Sequence, residues 1–474
     1  MEEPTPIPEC SGCAALQALV SELRQQVEAL TVQVRDLQER LNQNSANSSR
    51  PPSSDPPWKP KPNRSRPSGK KRGGQPGHPG QGRDAVPPEQ VDEHFEHVPT
   101  ACAHCHTVFP TGSLWEERAW VQQVVELPEI RPTVTEHVRR AGRCATCGRR
   151  TWAPLPPGVP PSGFGPRLHA LVALLTGAGR MSRRAVQAFL RDACHLPLAL
   201  GRISKIERRV ATALAPAVQE VTEAVEAAPV LYSDETRWRE GKQRPWLWVA
   251  GTHSYCLLRI LDQRDRESFE TLVGADRAGR TVVSDRYCVY GALPQERHGY
   301  CWAHLDRDFL AVAQGGDPLS FLGRYCLEEV DRLFRHWHAF RTGTLDRAGL
   351  VEAMQPVQVG LKTWLRWGAE TGGKKLAGFF RQLLEHWESL WVFLHVEGVE
   401  PTNNQAERLL RPGVRWRKTS YGTQGTAGRQ YAERLLTVTG SLGLQQRSVF
   451  EFLFAAYQAS LGRGTAPSLL PSPP

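Results

Sequence analysis

The sequence has nothing long and apolar enough to cross a membrane. No run approaches the roughly 18 apolar residues of a span, and the nearest, Leu168 to Leu175, stops at Gly177. The opening residues, MEEPTPIPEC, are acidic and proline-rich, which argues against a secretory signal. Cysteine is sparse and odd in number, eleven in 474 residues, with several in C-x-x-C pairs. That pattern speaks against a disulfide framework and for metal binding in a reducing compartment, hence a cytoplasmic protein. Acidic residues are missing altogether from Pro56 to Arg83, and Gly and Pro from Leu16 to Leu41.

What is present is length, positive charge and short punctuated segments. A chain of 474 residues can bury a sizeable core over several domains. A formal net charge of +10 favours a polyanionic partner, nucleic acid before membrane.

From Leu16 to Leu41, Leu16, Val20, Leu23, Val27, Leu30, Val34, Leu37 and Leu41 alternate spacings of four and three. With Val at the a positions and Leu at every d, this predicts a parallel two-stranded coiled coil over residues 14–42 and therefore a homodimer. The alternative is one amphipathic helix packed on its own domain. Cys10 and Cys13 precede the repeat without an assigned role. Residues 43–90 are rich in Ser, Pro and Gly and read as a disordered basic linker. Its Lys59, Lys61, Arg64, Arg66, Lys70, Lys71, Arg72 and Arg83 suit non-specific contact with phosphates, the plainer reading being a solubilising spacer.

Residues 91–155 contain Cys102 and Cys105, then Cys144 and Cys147. Four thiolates in two such pairs predict a closed structural zinc site, with His104 and His106 as bystanders. The intervening VQQVVELPEIRPTVTEHVRR alternates and predicts a β-hairpin. Residues 165–228 read as helices. Ser182 is expected to cap RRAVQAFLRD and Ser204 to cap SKIERRVATAL, with Lys205, Arg208 and Arg209 on the second helix. A helix-turn-helix and ordinary helical packing both fit.

The segment 229–310 carries the chemistry. Val230, Leu231 and Tyr232 run into Asp234, and Thr281 to Val283 run into Asp285. Between them lie the strand-like PWLWVAGTH and SYCLLRILD and a helical stretch near Glu267 to Val273. Strand with Asp, two hairpin strands, helix, strand with Asp, strand, helix is the order of an RNase H-like core, which would set Asp234 beside Asp285. Residues 311–400 read as a helical insertion rich in Trp, including Trp337, Trp364, Trp367, Trp387 and Trp391. The core then completes over 401–460, leaving 461–474 as a disordered tail. At PTNNQAERLLRP, Asn403, Asn404 and Arg411 share a helical face with Glu407. Arg408, Arg411, Arg415, Arg417 and Lys418 form a basic run suited to a nucleic-acid backbone.

Asp234, Asp285 and Glu407 converging would hold magnesium or manganese in an all-oxygen site, where two ions support an in-line phosphoryl displacement. Glu235 competes with Asp234 for this role, and Glu433 with Glu407. Alternation from Tyr232 favours Asp234.

The combination of SANSSRPPSSDPP, paired C-x-x-C, YSDET, VVSDRY, CWAHLDRDF and NNQAERLLRPGVRWRK resembles the insertion sequence 66 family of bacterial DDE transposases, from the coil to about residue 456. The resemblance implies a multidomain α/β protein with an RNase H-like core, a helical insertion before the Glu and an N-terminal zinc-binding region. It also implies cutting and joining of double-stranded DNA, element ends and target, by Asp234, Asp285 and Glu407. Small accessory proteins often assist such enzymes. Cys301 and His304 match a C-x-x-H element that supports the site or the DNA in related transposases, with core packing as the plainer account. Arg50 stands where the family often has Lys. The alternatives from other classes are a catalytically silent DNA-binding protein and a hydrolytic RNase H-like nuclease.

Overall fold

The structure is a computed structural model that describes residues 11–44, 47, 55, 84–112, 121–274 and 279–471. Two units emerge: one is Met1–Lys59 with Val134–Asp192 and Leu196–Pro474, the other Pro60–Thr133 with Ala193–His195.

The first unit begins with α1 (Ser11–Asn42), whose repeat leucines are 51 to 79% exposed. The predicted helix is present, and among the described residues its apolar stripe stays largely exposed. A two-stranded ribbon follows, β1 (Ala141–Arg143) and β2 (Arg150–Trp152), paired antiparallel around Cys144 and Cys147. Four helices come next: α2 (Pro166–Thr176), α3 (Arg183–Cys194), α4 (Leu200–Ala213) and α5 (Ala215–Ala227). Ser182 caps α3 as expected, its Oγ accepting the Ala185 amide at 3.1 Å. Ser204 does not cap α4, because the helix starts a turn earlier at Leu200.

A five-stranded mixed sheet forms the centre. Its strands are β3 (Val230–Arg237), β4 (Trp246–Gly251), β5 (Cys256–Leu261), β6 (Thr281–Ser284) and β7 (His298–Tyr300), with α6 (Arg266–Val273) between β5 and β6. The spatial order is β5-β4-β3-β6-β7. β4 runs antiparallel to β3 and β5, while β6 and β7 run parallel to β3. The middle strands are almost wholly buried, matching their continuous apolar composition.

Beyond the sheet come α7 (Trp302–Ala313), α8 (Phe321–Arg341), α9 (Arg347–Thr371), α10 (Lys374–Glu385) and a single turn, α11 (Val392–His395). α7 to α10 pack each on the next. α12 (Asn404–Ser420), α13 (Thr426–Leu444) and α14 (Val449–Ser460) complete the unit. α12 lies on β3 and β4, and α13 along β5. Gly413 lets α12 approach β4, since a Cβ there would meet Leu247 Cδ2 at 2.3 Å. α2 and α4 pack on α14 and α13, so the helices preceding the sheet share its core.

The edge strand β5 has its outward amides capped by α13. Ile260 donates to Glu433 Oε1 at 2.6 Å, Leu258 to Thr437 Oγ1 at 3.0 Å and Cys256 to Ser441 Oγ at 3.0 Å. Acceptors four residues apart on a helix match donors two apart on a strand, because both repeats advance about 6 Å. This seals an edge that would otherwise recruit foreign strands. The C-terminal segment, expected to be disordered, is anchored: Leu469 is fully buried and its amide donates to Glu220 Oε2 at 2.9 Å.

The second unit contains no regular strand across 121–133, and 134–140 in the first unit is likewise irregular, so the hairpin predicted there is absent. Pro128 and Pro132 each lack an amide to donate, which interrupts any ladder through this stretch. Within this unit Val86 and Gln123 exchange two hydrogen bonds of 2.7 Å.

Candidate active site

The sheet register sets the first two acids side by side. Leu231 pairs with Val282 and Tyr232 with Val283. Two residues further along the parallel pair, Asp234 stands beside Asp285. Alternation along β3 then separates Asp234 from Glu235. Tyr232 faces the approach to α12, with its hydroxyl donating to Gly398 O at 2.9 Å and accepting the Glu400 amide at 2.9 Å. Ser233 and Glu235 face the opposite layer, where Tyr290 donates to Glu235 Oε2 at 2.6 Å and Arg264 Nε to Oε1 at 2.7 Å. Both Glu235 oxygens are therefore engaged, Oε1 in an ion pair with Arg264 and Oε2 in a hydrogen bond from Tyr290. Glu433, the other rival, is committed to β5.

The third acid comes from α12, whose first turn is tied to the sheet. Asn403 Nδ2 donates to Ser233 O at 2.7 Å, and its amide donates to Cys301 Sγ at 3.1 Å. Gln405 donates to Thr252 O. Cys301 is itself fixed by its amide to Ser284 O at 3.0 Å, next to Asp285. Cys301 thus links the ends of β6 and α12. Glu407 follows one turn into the helix, with Oε1 3.5 Å from Arg307 Nη2 and 3.8 Å from His304 Nδ1.

Asp234 lies in the field of the other two acids. Burial holds the Asp234 carboxyl well above the usual range, and the charges of Glu235, Asp285 and Glu407 add to the shift. Burial also raises Asp285, against the Tyr287 amide and the guanidinia of Arg264, Arg286 and Arg307. Burial and the neighbouring Arg307 and Arg286 push His304 down to about 3, so its ring is neutral near pH 7. Asp234 Oδ1 accepts the Glu235 amide and Asp285 Oδ1 the Tyr287 amide, while buried Glu407 Oε1 accepts no hydrogen bond and has the Arg307 guanidinium at 3.5 Å. Among the described residues no three His, Cys, Asp or Glu stand close enough to enclose an ion as placed.

The cationic rim includes residues that the sequence motifs passed over. Arg286 is held by Asp308 at 2.5 Å and by Gln382 Oε1 at 2.9 Å. His304, Arg307 and Asp308 lie on one face of α7, and their spacing of three and four in CWAHLDRDF was the available signal. Of the basic run on α12, Arg408, Arg411, Arg415 and Lys418 are exposed. Arg417 turns inward and donates to Arg237 O. Lys70, Lys71 and Arg72 lie outside the described residues.

The cysteine pairs adopt one local shape twice. Cys102 and Cys144 each donate an amide to the carbonyl five residues on, Thr107 and Arg149, at 2.9 Å. Each also accepts at 2.9 Å from the residue four on, His106 or Gly148, both of which have positive φ. The hydroxyl of Thr107 leads in lowering Cys105 to about 7, and the backbone at Cys147 in lowering Cys144 to about 7. The first pair belongs to the second unit and the other to the first.

A mixed sheet that presents two acids in register, with a third on a helix bordered by arginines, defines an α/β protein with an acidic centre in a basic surround. A family model described as Transposase IS66 family matches residues 161–431, more than half of the chain, and a family of unknown function (DUF6444) matches residues 3–84. The chain belongs to the IS66 family of transposases, enzymes that act on DNA. Its match spans Asp234, Asp285 and Glu407. A search of curated proteins finds no match. Among the described residues no helix is long and apolar enough to cross a membrane.

Proposed function

We propose that this protein cuts DNA at the ends of an insertion sequence and joins the freed strand to a target, using Asp234, Asp285 and Glu407 as a DDE triad. The observation that carries this reading is the β3–β6 register, which, extended by two residues, sets Asp234 within β3 beside Asp285 just past the end of β6. The strand order, with the second strand antiparallel to its neighbours, supports an RNase H-like core.

In kind, three carboxylates are the donor set that magnesium or manganese takes, and a cation would relieve the repulsion at Asp234. As placed they do not yet enclose an ion, so binding would draw Glu407 toward the two aspartates. Two such ions, when bound, would activate the attacking oxygen and stabilise the leaving one. Asp234 and Asp285 would hold the cations from the rigid sheet, and Glu407 would close the site from α12. Arg307 and Arg286 balance the acids before DNA arrives and favour the approach of a phosphodiester. Cys301 and Asn403 fix where Glu407 stands.

Cys102 with Cys105, and Cys144 with Cys147, would each offer a pair of thiolates to structural zinc, since each knuckle carries one thiol lowered to about 7, Cys105 and Cys144. Arg408, Arg411, Arg415 and Lys418 would contact phosphates, with Lys70, Lys71 and Arg72 on the linker. Arg417 serves the α12–β3 junction. α3 and α4 have the order of a helix-turn-helix, with Lys205 and Arg208 exposed. The bare stripe of α1 fits a second copy of the chain. Small accessory proteins encoded with the element remain candidate partners, and the bacterial nucleoid the expected location.

The test is incubation with labelled terminal-repeat DNA and magnesium, beside the Glu407→Gln variant. Strand transfer by the parent that the variant lacks supports the reading. Binding without cleavage by the parent would overturn it in favour of a silent DNA-binding protein. Hydrolysis without joining would favour a nuclease.

A further inference from the structure

The basic face of α12 continues onto a hairpin that no motif pointed to. Arg408, Arg411, Arg415 and Lys418 recur at spacings of three and four, so they line one exposed stripe about 15 Å long. Where the stripe ends, the turn between β3 and β4 brings exposed Arg239, Lys242 and Arg244. Backbone bonds join the two segments: the Thr423 amide to Arg239 O at 2.9 Å and the Gly241 amide to Thr423 O at 2.9 Å. Trp238 Nε1 adds a bond to Thr423 Oγ1 at 3.1 Å. Gly422, at φ +80°, makes this approach feasible, since a Cβ there would lie 2.1 Å from Arg239 O. The turn's one acid, Glu240, is taken up by Arg429 at 2.8 Å and so leaves the local positive charge standing. Tyr421, 65% exposed and at φ 56°, backs Arg239, whose guanidinium lies 5.6 Å from the ring centroid.

We propose that α12 and the β3–β4 hairpin form one continuous track for the phosphate backbone of duplex DNA, leading away from Glu407. The proposal deepens the transposase reading and rests on it for the position of the reacting phosphodiester. Seven cations on two elements locked to each other match a duplex, which presents about one phosphate per 1.7 Å of axis. Among the described residues none of the seven is in a salt bridge, so their charge is available to phosphates. The track contacts backbone and not bases, so it gives affinity without sequence preference.

The experiment uses the full chain in EDTA, with fluorescence anisotropy on two 40-base-pair duplexes, one carrying the terminal repeat and one unrelated. The triple variant Arg239→Ala, Lys242→Ala, Arg244→Ala should bind both more weakly by a similar factor. The slope of log K against log salt should fall by about 2 to 3, since each phosphate contact contributes about 0.9. The double variant Arg239→Lys, Arg244→Lys should keep the slope, separating charge from folding. An unchanged slope in the triple variant overturns the track, as does a loss confined to one duplex. No metal is present, so the result is independent of strand cutting. A parent that binds with the expected slope but does not cut in magnesium overturns the triad and leaves the track standing.

Discussion

Arg307 Nη2 lies 3.5 Å from Glu407 Oε1, and each side chain is less than a third exposed. Glu407 Oε1 has no hydrogen bond, so this guanidinium is the nearest compensation for a buried carboxylate oxygen. Arg307→Gln is expected to lower magnesium-dependent cleavage roughly 10- to 100-fold, the usual cost of losing a residue that orients a ligand. The same variant should need less magnesium for half-maximal activity, because a competing cation has left Glu407. A merely structural role would lower activity without shifting the magnesium requirement. Initial rates across a magnesium series check both.

The acids make a sign prediction for stability. Asp234 and Asp285 are raised in the folded state by burial, Asp234 further by its acidic neighbours. A carboxyl with a higher folded than unfolded pKa binds more protons in the native state across that interval, so stability falls as pH rises through it. Metal-free protein should therefore lose melting temperature between the ordinary Asp value, near 4, and the raised ones, whereas Asp234→Asn should flatten that slope while abolishing cleavage. Melting in EDTA over a pH series reads the first effect, and addition of magnesium should restore the parent more than the variant.

Glu235 and Asp234 are adjacent in sequence and opposite in consequence. Glu235 is fully buried and bonded to both Arg264 and Tyr290. Glu235→Ala strands Arg264 and should cost about 3–5 kcal/mol, as loss of one partner from a buried pair does, while Asp234→Asn should unfold nothing. Denaturant midpoints for the two variants decide which acid is structural.

That contrast marks how much was legible in the sequence. Apolar runs ending in Asp234 and Asp285 gave the strands, and the alternation from Tyr232 gave the side on which Asp234 lies, because both follow from local periodicity. The partners of Glu235 could not be read, since Arg264 and Tyr290 lie 29 and 55 residues away and meet it only through the sheet. Glu433 looked like a rival acid because its role as an edge cap depends on where α13 docks. The hairpin expected before Ala141 failed for the same reason. Alternation shows a face but not a partner to pair with, and Pro128 and Pro132 withhold amides. Ser204 shows the limit at boundaries: α4 begins one turn earlier, through Gly201.

The knuckles predict a titration. Cys105 and Cys144 are lowered to about 7, so metal-free protein should alkylate quickly at these thiols near pH 7.5 and far more slowly at pH 6. Zinc should protect both cysteines of each knuckle that binds it, and uptake should weaken as pH falls, because the ligands must shed protons. Mass spectrometry after a timed iodoacetamide pulse reads each thiol. Equal labelling with and without zinc removes the metal from this region.

The stripe on α1 predicts assembly. Leu23, Leu30 and Leu37 are 51 to 58% exposed, so substitution should leave the sheet unit intact. Leu23→Asp with Leu30→Asp places charge at two d positions, where each copy would face a like charge and lose a buried leucine pair worth on the order of 1.5–3 kcal/mol per side chain. The parent should sediment as a dimer and the double variant as a monomer with an unchanged core melting temperature. Because pairing two DNA ends needs two active sites held together, the monomer should still bind a single end but lose joint cleavage of a paired-end substrate. A double variant that remains dimeric in sedimentation would place the interface elsewhere and return α1 to an unpartnered helix.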